Sequence, residues 1–186
     1  KSVNIHRYNN DGNLIETYYL YKSKYSKDKP TKKMYNYNAK GILINTKDVS
    51  DQKGSFSAEN RYTYNRKGHL MKIEAIYNDG SKYATIYEND KKGREIGYKY
   101  YNKENKLSSE SKTTYKGNRK TNIYTGYSSK DGSITGNYTT IYENDIKVKY
   151  ISNGKYVSST ISYEYDKNNN LLKTTNIGKK NTYVTS

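Results

Sequence analysis

The chain has 186 residues, a net charge of +16 and only 32% hydrophobic residues, but it carries 25 tyrosines. This composition excludes a membrane-spanning helix, because no run of about 18 apolar residues occurs. It also excludes a disulfide-stapled domain, because cysteine is absent. High charge with few aliphatic residues is typical of disorder. Tyrosine opposes that interpretation, because each ring buries a large area while its hydroxyl stays in water, and we expect a folded β protein.

Turn signals recur along the chain about every 11 to 14 residues, which leaves strands of about seven to nine residues between them. The strongest are Asp11-Gly12, Asn78-Asp79-Gly80 and Asn153-Gly154, because hairpin turns need residues that tolerate positive φ. The segment Tyr21–Lys33, which holds the only proline, is predicted to be a longer loop. No window of helical length shows a 3.6-residue hydrophobic period.

A longer repeat lies above the strand period. Thr85–Asp90 recurs unchanged as Thr140–Asp145, and together with the spacing of the turn glycines this indicates a two-strand unit of about 27 residues. We predict one domain, residues 1–186, built from about six or seven such units. Its fold is predicted to be all-β, an elongated antiparallel β-meander of about 12–15 strands in a single twisted sheet or a β-spiral. Tyr-x-Tyr pairs such as Tyr62/Tyr64 place two rings on one face, where neighbouring strands are expected to stack them over a thin Ile/Leu core.

The repeated hairpin resembles a known family. Tyr62–Leu70 reads Tyr-Thr-Tyr-Asn-Arg-Lys-Gly-His-Leu, and Tyr35–Leu43 and Tyr163–Leu171 follow the same pattern. These segments resemble the Tyr-x-Tyr-Asp-x-x-Gly-x-Leu unit of the YD repeats of RHS proteins, with Asn for Asp in the first two and Asn for Gly in the third. Residues 87–91 also resemble the MORN-like repeats of the YwqK group. The resemblance implies β-hairpin arrays, often in secreted or surface proteins and sometimes as shells around toxins, and it transfers no functional residue.

No catalytic, cofactor-binding or metal-binding site is predicted. His6 and His69 are the only histidines, and neither lies in a cluster with the spacing of metal ligands. His69 follows a turn glycine, where an exposed structural role is expected. The sequence therefore predicts a protein that is not an enzyme.

Two carboxylate pairs in the duplicated hexapeptide are the remaining candidates for chemistry. Glu88/Asp90 and Glu143/Asp145 each share a face of an extended strand, an arrangement suited to Ca²⁺ or to an acid–base pair. The competing interpretation is that Asp90 and Asp145 shape turns by bonding their own backbone.

The charge is the main functional signal. A +16 surface attracts polyanions, and tyrosine beside lysine also suits sugar rings. A structural interpretation is that lysine only keeps exposed sheet edges soluble. We predict a non-catalytic, exported or cell-surface protein that binds acidic glycans or other surface polymers. The predicted ligand site comprises Tyr19, Tyr21, Lys22, Lys24, Lys27, Lys29, Lys32 and Lys33.

Other partners and the location follow from the same features. The alternative function is a protein–protein module that neutralises a toxin or self-assembles by pairing its end strands. Nucleic-acid binding is predicted to be nonspecific, because no recognition motif accompanies the charge. We expect a secreted, cell-surface or periplasmic location in a bacterium, since a first residue other than methionine is compatible with a removed export signal.

Overall fold

The computed structural model describes residues 2–21, 31–50, 58–154, 158–178 and 182–185. These residues form β-strands and turns and contain no helix. The strands are β1 (Ser2–Tyr8), β2 (Leu14–Tyr21), β3 (Thr31–Tyr37), β4 (Leu43–Ser50), β5 (Ala58–Tyr64), β6 (Leu70–Tyr77), β7 (Lys82–Asn89), β8 (Glu95–Tyr101), β9 (Leu107–Lys116), β10 (Arg119–Tyr127), β11 (Ile134–Glu143), β12 (Ile146–Gly154), β13 (Ser158–Tyr165), β14 (Leu171–Gly178) and β15 (Thr182–Thr185).

The strands pair antiparallel with their neighbours in sequence and form a single open sheet in the order β1 to β15. This confirms the predicted all-β antiparallel meander. The chain separates into two compact units, Lys1–Ile86 (unit 1) and Tyr87–Ser186 (unit 2), and each is described by itself. Within the described segments, no helix is long and apolar enough to cross a membrane.

A recurring hairpin turn explains the repeated sequence motif, and Asn65 shows its geometry. Asn65 Oδ1 accepts hydrogen bonds from the backbone N–H groups of Lys67 at 2.9 Å and His69 at 3.0 Å. The Gly68 N–H donates to the Asn65 carbonyl at 3.0 Å. Gly68 has φ of 83°, a left-handed conformation that glycine adopts without steric penalty. Equivalent side-chain bonds are made in the described residues by Asn9, Asn38, Asp90, Asn102 and Asp166.

Asparagine replaces the turn glycine in two copies and keeps the same backbone conformation. Asn105 and Asn169 have φ of 56° and 65°, a region that asparagine tolerates better than most residues. The strand register also shifts at the tyrosine before the turn, as between Thr63 and Tyr64, which is a β-bulge. The third motif copy therefore forms the same turn as the other copies although it lacks the glycine.

The predicted loop over Tyr21–Lys33 is wrong at both of its described ends, because Tyr21 is the last residue of β2 and pairs with Ser2, and residues 31–33 begin β3. Thr31–Lys33 belong to β3 and pair with Tyr19, Tyr18 and Thr17 of β2. Extended backbone suits this segment because it places Lys32 directly opposite Tyr18, and the Lys32 ammonium lies 5.4 Å from the centroid of the Tyr18 ring, within the range of cation–π attraction. Residues 22–30 lie outside the described residues.

Small polar side chains replace the expected Ile/Leu core. In unit 1, Thr46 is 1% exposed and is paired with Tyr35 on one side and Asn60 on the other. The Thr46 Oγ1 lies 3.4 Å from the Tyr62 hydroxyl. A small side chain leaves room for neighbouring large side chains to cover it, and its hydroxyl stays bonded. Among the described residues, Ile141 is the single buried hydrophobic side chain.

Unit 2 uses the same arrangement around Ser111. This buried serine is paired with Tyr98 on β8 and Tyr124 on β10. The Asn122 Nδ2 donates to the Ser111 Oγ at 2.7 Å. Burial raises the pKa of the Tyr98 hydroxyl above its ordinary value. A buried small polar residue thus lies between tyrosines of the two neighbouring strands in unit 2.

Tyrosines on adjacent strands of unit 2 also stack, as the sequence predicts. The ring centroids of Tyr124 and Tyr138 lie 5.8 Å apart, and those of Tyr138 and Tyr150 lie 6.2 Å apart with near-parallel planes. Because side chains alternate along each strand, these rings share one face, which we call the tyrosine face. Cross-strand aromatic pairs of this kind each contribute a few tenths to about 1 kcal/mol.

Tyrosine hydroxyls join each of three hairpins to the hairpin before it. A tyrosine near the end of an odd-numbered strand donates to a main-chain carbonyl at or next to the start of the preceding strand. The bonds are Tyr37 to Leu14 at 2.9 Å, Tyr115 to Glu95 at 3.2 Å and Tyr165 to Lys147 at 2.8 Å. These tyrosines therefore fix the positions of neighbouring strand ends.

Candidate functional site

The predicted lysine-rich site is only partly described by the structure. Lys22, Lys24, Lys27 and Lys29 lie outside the described residues, as does the side chain of Tyr21. The remaining members are Tyr19, which is exposed, and the half-buried Lys32 and Lys33. The site as a whole stays a prediction.

The two described lysines of this site lie on opposite faces of the sheet. Lys32 and Lys33 are consecutive in β3, so their side chains point to opposite faces of the sheet. The Lys32 ammonium forms an ion pair with Glu16, and the Lys33 ammonium lies 3.7 Å from an Asp48 carboxylate oxygen. The hydrogen bond between Lys32 and Glu16 lowers the pKa of Glu16 below its ordinary value and raises the pKa of Lys32 above its ordinary value. Both charges are partly satisfied within the protein.

A second group of cations and tyrosines lies on the tyrosine face of unit 2. Its members alternate between cation and ring from the start of β8 to β13, and each is adjacent to the next. We call this group the cation–tyrosine row. It comprises Arg94, Tyr115, Lys120, Tyr142, Lys147 and Tyr163.

Each ring of the row has a cation over it. The Arg94 guanidinium carbon lies 4.1 Å from the Tyr115 ring centroid. The Lys120 ammonium lies 5.1 Å from the Tyr142 centroid. The Lys147 ammonium lies 5.1 Å from the Tyr163 centroid and 4.9 Å from that of Tyr150. All four distances fall within the range of cation–π attraction, about 6 Å.

The remaining neighbours in the row are residues that lie directly opposite each other on paired strands. Tyr115 is directly opposite Lys120 across the β9–β10 hairpin, and Tyr142 is directly opposite Lys147 across the β11–β12 hairpin. Lys120 is also opposite Tyr142. Because opposite residues of an antiparallel pair share a face, the row runs across the strands and not along them.

The two hairpin turns beside the row are bonded to each other. The Asn144 N–H donates to the Asn118 carbonyl at 3.0 Å, and the Asn118 Nδ2 donates to the Asn144 Oδ1 at 3.0 Å. Gly117, Asn144 and Asp145 have positive φ, as tight two-residue hairpin turns require. These bonds hold the strand ends that position Tyr115, Lys120, Tyr142 and Lys147.

The charges of the row differ from one end to the other. At the β8 end, two guanidinium nitrogens of Arg94 lie 2.7 and 2.8 Å from Asp90 Oδ2, and the Tyr115 hydroxyl is bonded to the Glu95 carbonyl. In the part of the chain that the structure describes, no carboxylate oxygen lies within 4.0 Å of the ammonium of Lys120 or Lys147. The β10–β13 end therefore presents the uncompensated positive charge.

The half-buried side chains of Lys120, Tyr142, Lys147 and Tyr163 carry hydrogen-bond donors on this face. Lysine ammonium groups only donate, and phenol hydroxyls donate readily. Ligand groups that accept hydrogen bonds and carry negative charge complement such a surface, because charge-assisted hydrogen bonds are the strong ones. The row is thus suited to carboxylate, sulfate or phosphate oxygens.

The two aspartates considered as candidates for chemistry lie in hairpin turns. Asp90 Oδ1 accepts the N–H groups of Lys92 and Arg94, and Asp145 is a turn residue with φ of 63°. Within the described residues, no group of three or more His, Cys, Asp or Glu could hold a metal ion. The contacts of Asp90 and the position of Asp145 support the turn-shaping interpretation of these aspartates.

The two histidines lie beside other polar side chains. The His6 Nδ1 lies 3.2 Å from the Thr17 Oγ1, and the His69 Nδ1 lies 3.4 Å from the Asn65 Nδ2. The expectation that the protein is not an enzyme stays a prediction.

Comparison with known proteins gives a likeness at the level of fold. No family model and no curated protein matches the chain. Among solved structures, the chain is similar to the crystal structure of TcdB2-TccC3-Cdc42, with a TM-score of 0.66 and 16% identity over 97% of this chain. The chain spans 9% of the chain that it matches there. This likeness shows a shared β-repeat fold.

A second solved structure is less similar. It is a porin-like protein from Bacteroides uniformis ATCC 8492, with a TM-score of 0.46 and 10% identity, covering 97% of this chain and 87% of that chain. At this TM-score the likeness supports no conclusion about this protein.

Proposed function

We propose that the protein is a non-catalytic binding module, exported or exposed at the surface of a bacterium, that engages acidic glycans or related acidic surface polymers. The observation that supports this function best is the cation–tyrosine row, in which Lys120 and Lys147 carry positive charge without a nearby carboxylate in the described residues. The net charge of +16 favours the same class of ligand.

The row is a better primary site than the lysine-rich segment of unit 1. Lys32 and Lys33 lie on opposite faces and are paired with carboxylates, so they present little free charge to one ligand. Lys120 and Lys147 lie on the same face and are held by two connected hairpins. The remaining lysines of the predicted segment are secondary candidates in this proposal.

The repeat motif supports a relation to YD-repeat proteins. The Asn or Asp of the motif bonds two backbone N–H groups in each described copy, and the Gly or Asn has positive φ. Asn and Asp are thus equivalent in this turn, which accounts for the departures from the family pattern. The fold likeness to a much larger β-repeat structure is consistent with this relation.

A charge-matched pair of variants tests the proposed function. Lys120→Gln/Lys147→Gln removes two charges from the row. The control, Lys116→Gln/Lys149→Gln, removes two charges from the opposite face, where these lysines are paired with Arg119 and Ile141 and, within the described residues, have no carboxylate oxygen within 4.0 Å. Binding to immobilised polygalacturonate, heparin and neutral dextran is measured at about 0.15 M salt.

The row variant is expected to bind an acidic polymer about tenfold more weakly than the native protein, which corresponds to about 1.4 kcal/mol. The control variant is expected to bind almost as well as the native protein, and dextran is expected not to bind. Equal losses of affinity in both variants would show nonspecific attraction. If the native protein binds neither polygalacturonate nor heparin, the proposed function is refuted.

The alternative is a protein–protein module that neutralises a toxin or self-assembles through its end strands. It is favoured by exposed apolar side chains on the outer strands, Val3 and Ile5 of β1 and Tyr183 and Val184 of β15. Exposed edges with such side chains are prone to pair with another strand. Sedimentation over a hundredfold concentration range tests it: association that Val184→Lys abolishes supports this function, and a monomer at every concentration contradicts self-assembly.

A further inference from the structure

We propose that the β10–β13 part of the row, which excludes Arg94 and Tyr115, recognises a linear acidic polysaccharide that lies across these strands, and that it discriminates against single-stranded nucleic acid. This inference rests on the proposed function and specifies its ligand, its direction and its length. The inference depends on which members of the row already form an ion pair or a hydroxyl hydrogen bond within the protein.

The two ends of the row are not equivalent. Arg94 is held by Asp90, and the Tyr115 hydroxyl donates to the Glu95 carbonyl. Lys120 and Lys147 have no carboxylate within 4.0 Å, and no hydrogen bond is present at the hydroxyls of Tyr142 and Tyr163, within the described residues. The binding stretch is therefore Lys120, Tyr142, Lys147 and Tyr163.

The strand spacing sets the length of the ligand. The four residues lie on β10, β11, β12 and β13, which are separated by three steps of about 4.8 Å, or roughly 14 Å in total. Lys120 and Lys147 lie on strands two steps apart, which separates their backbones by roughly 10 Å. A linear polymer with regularly spaced acidic groups, running perpendicular to the strands, can contact both lysines at once.

Cations over the rings make base stacking unfavourable. Single-stranded nucleic acids bind tightly where bases stack on open aromatic faces. In the row, Lys120 lies over the Tyr142 ring, and Lys147 lies over the Tyr163 and Tyr150 rings. A base would have to displace these cations, whereas an acidic sugar is bound by the ammonium groups and the tyrosine hydroxyls in place.

Two tyrosine-to-phenylalanine variants test whether the Tyr142 hydroxyl contributes to ligand binding. Tyr142→Phe keeps the ring beneath Lys120 but removes a donor that faces the ligand. Tyr115→Phe removes a hydroxyl that is already bonded to Glu95. We expect Tyr142→Phe to weaken binding about threefold or more, and Tyr115→Phe to leave affinity unchanged.

The closing experiment is calorimetric titration of the full chain with length series of three probes. These are oligogalacturonates for carboxylates, heparin oligosaccharides for sulfates, and oligo(dT) of matched charge. Affinity for the preferred acidic sugar is expected to rise steeply until the oligomer spans roughly 14 Å and then to rise only slowly. Oligo(dT) of the same charge is expected to bind at least tenfold more weakly, and the sugar series that binds identifies the acidic group.

The outcomes separate this inference from the proposed function. If neither acidic sugar binds, or if Lys120→Gln/Lys147→Gln behaves like its control, the proposed function itself fails. If the sugars bind through these lysines but oligo(dT) binds equally well, only the inference is overturned. The inference is overturned in the same way if Tyr142→Phe binds like the native protein, or if affinity shows no change of slope with oligomer length.

Discussion

Replacing Asn65 by alanine is expected to destabilise unit 1 by about 1–2 kcal/mol. The substitution removes the Oδ1 atom that accepts the N–H groups of Lys67 and His69, at 2.9 and 3.0 Å. Each such bond contributes a net stability of about 1 kcal/mol, and the lower part of the range applies if water replaces the lost acceptor. Urea unfolding followed by tyrosine fluorescence and far-ultraviolet circular dichroism measures the change. With a denaturant slope of about 2 kcal/mol/M, the midpoint falls by about 0.5–1 M.

The matched control is Asn65→Asp. Asp90 and Asp166 make the same pair of bonds in their own turns, so an aspartate at position 65 is expected to keep the midpoint close to that of the native protein. An alanine variant with an unchanged midpoint would refute the assigned strength of the turn bonds. An aspartate variant as unstable as the alanine variant would refute the equivalence of the two side chains.

Three further predictions concern unit 2. Gly97→Ala is expected to cost about 1–3 kcal/mol of unfolding free energy in the same urea titration, because the added Cβ would lie 2.6 Å from the Ser111 carbonyl oxygen; a neutral effect would contradict this packing. Tyr165→Phe is expected to cost about 1 kcal/mol by losing the bond to the Lys147 carbonyl, while binding of an acidic polymer stays within twofold of native; an unchanged unfolding midpoint argues against the bond. Hydrogen bonds from the side chain and backbone of Asn170 lower the pKa of Asp166 in the folded protein. The ionised Asp166 therefore stabilises the fold above the pKa that aspartate has in the unfolded chain, about 4, and this stabilisation is lost as the pH falls through the lowered pKa of the folded state. Acid titrations of unfolding should show a smaller loss in Asp166→Asn, and identical curves would refute the assignment.

Most strands and turns were predictable because their signals are local, but the turn predicted at Asn153-Gly154 was wrong, because both residues belong to β12 and pair with Asn137 and Gly136 of β11. Alternation over Arg61–Tyr64 and the Asn-x-x-Gly spacing from Asn65 to Gly68 are read within ten residues, and both have the predicted conformation. The loop predicted over Tyr21–Lys33 was wrong at Thr31–Lys33, because a cluster of lysines was taken as a sign of an irregular, solvated segment. In the structure, the Lys32 ammonium instead lies over the Tyr18 ring of the paired strand.

The cation–tyrosine row was not found from the sequence because its members come from different hairpins. Lys120 and Tyr142 are opposite each other only once the register of β10 and β11 is known. A local signal was nevertheless present. Tyr115 to Lys120 and Tyr142 to Lys147 share the spacing Tyr-x4-Lys around a two-residue turn, which pairs the ring and the cation directly across the hairpin.

The buried Ser/Thr positions were missed for a different reason. Thr17 and Thr46 are both 1% exposed, although threonine is usually found at the surface. Their burial depends on the large side chains of neighbouring strands, and no property of the threonines themselves indicates it. A rule that seeks small polar residues opposite tyrosines would have found Thr46, whose partner is Tyr35.

The hydroxyl bonds that connect successive hairpins imply a particular mode of unfolding. Tyr37, Tyr115 and Tyr165 each tie one hairpin to the one before it, so stability resides in nearest-neighbour coupling as well as in single hairpins. Arrays of this kind behave as one-dimensional chains, in which an opened segment spreads by adding the adjacent repeat. A polymer bound across β10–β13 would clamp several of these couplings together. Exchange of backbone amide hydrogens should then slow far more in those strands than in unit 1, so that ligand binding is detected as protection against local unfolding.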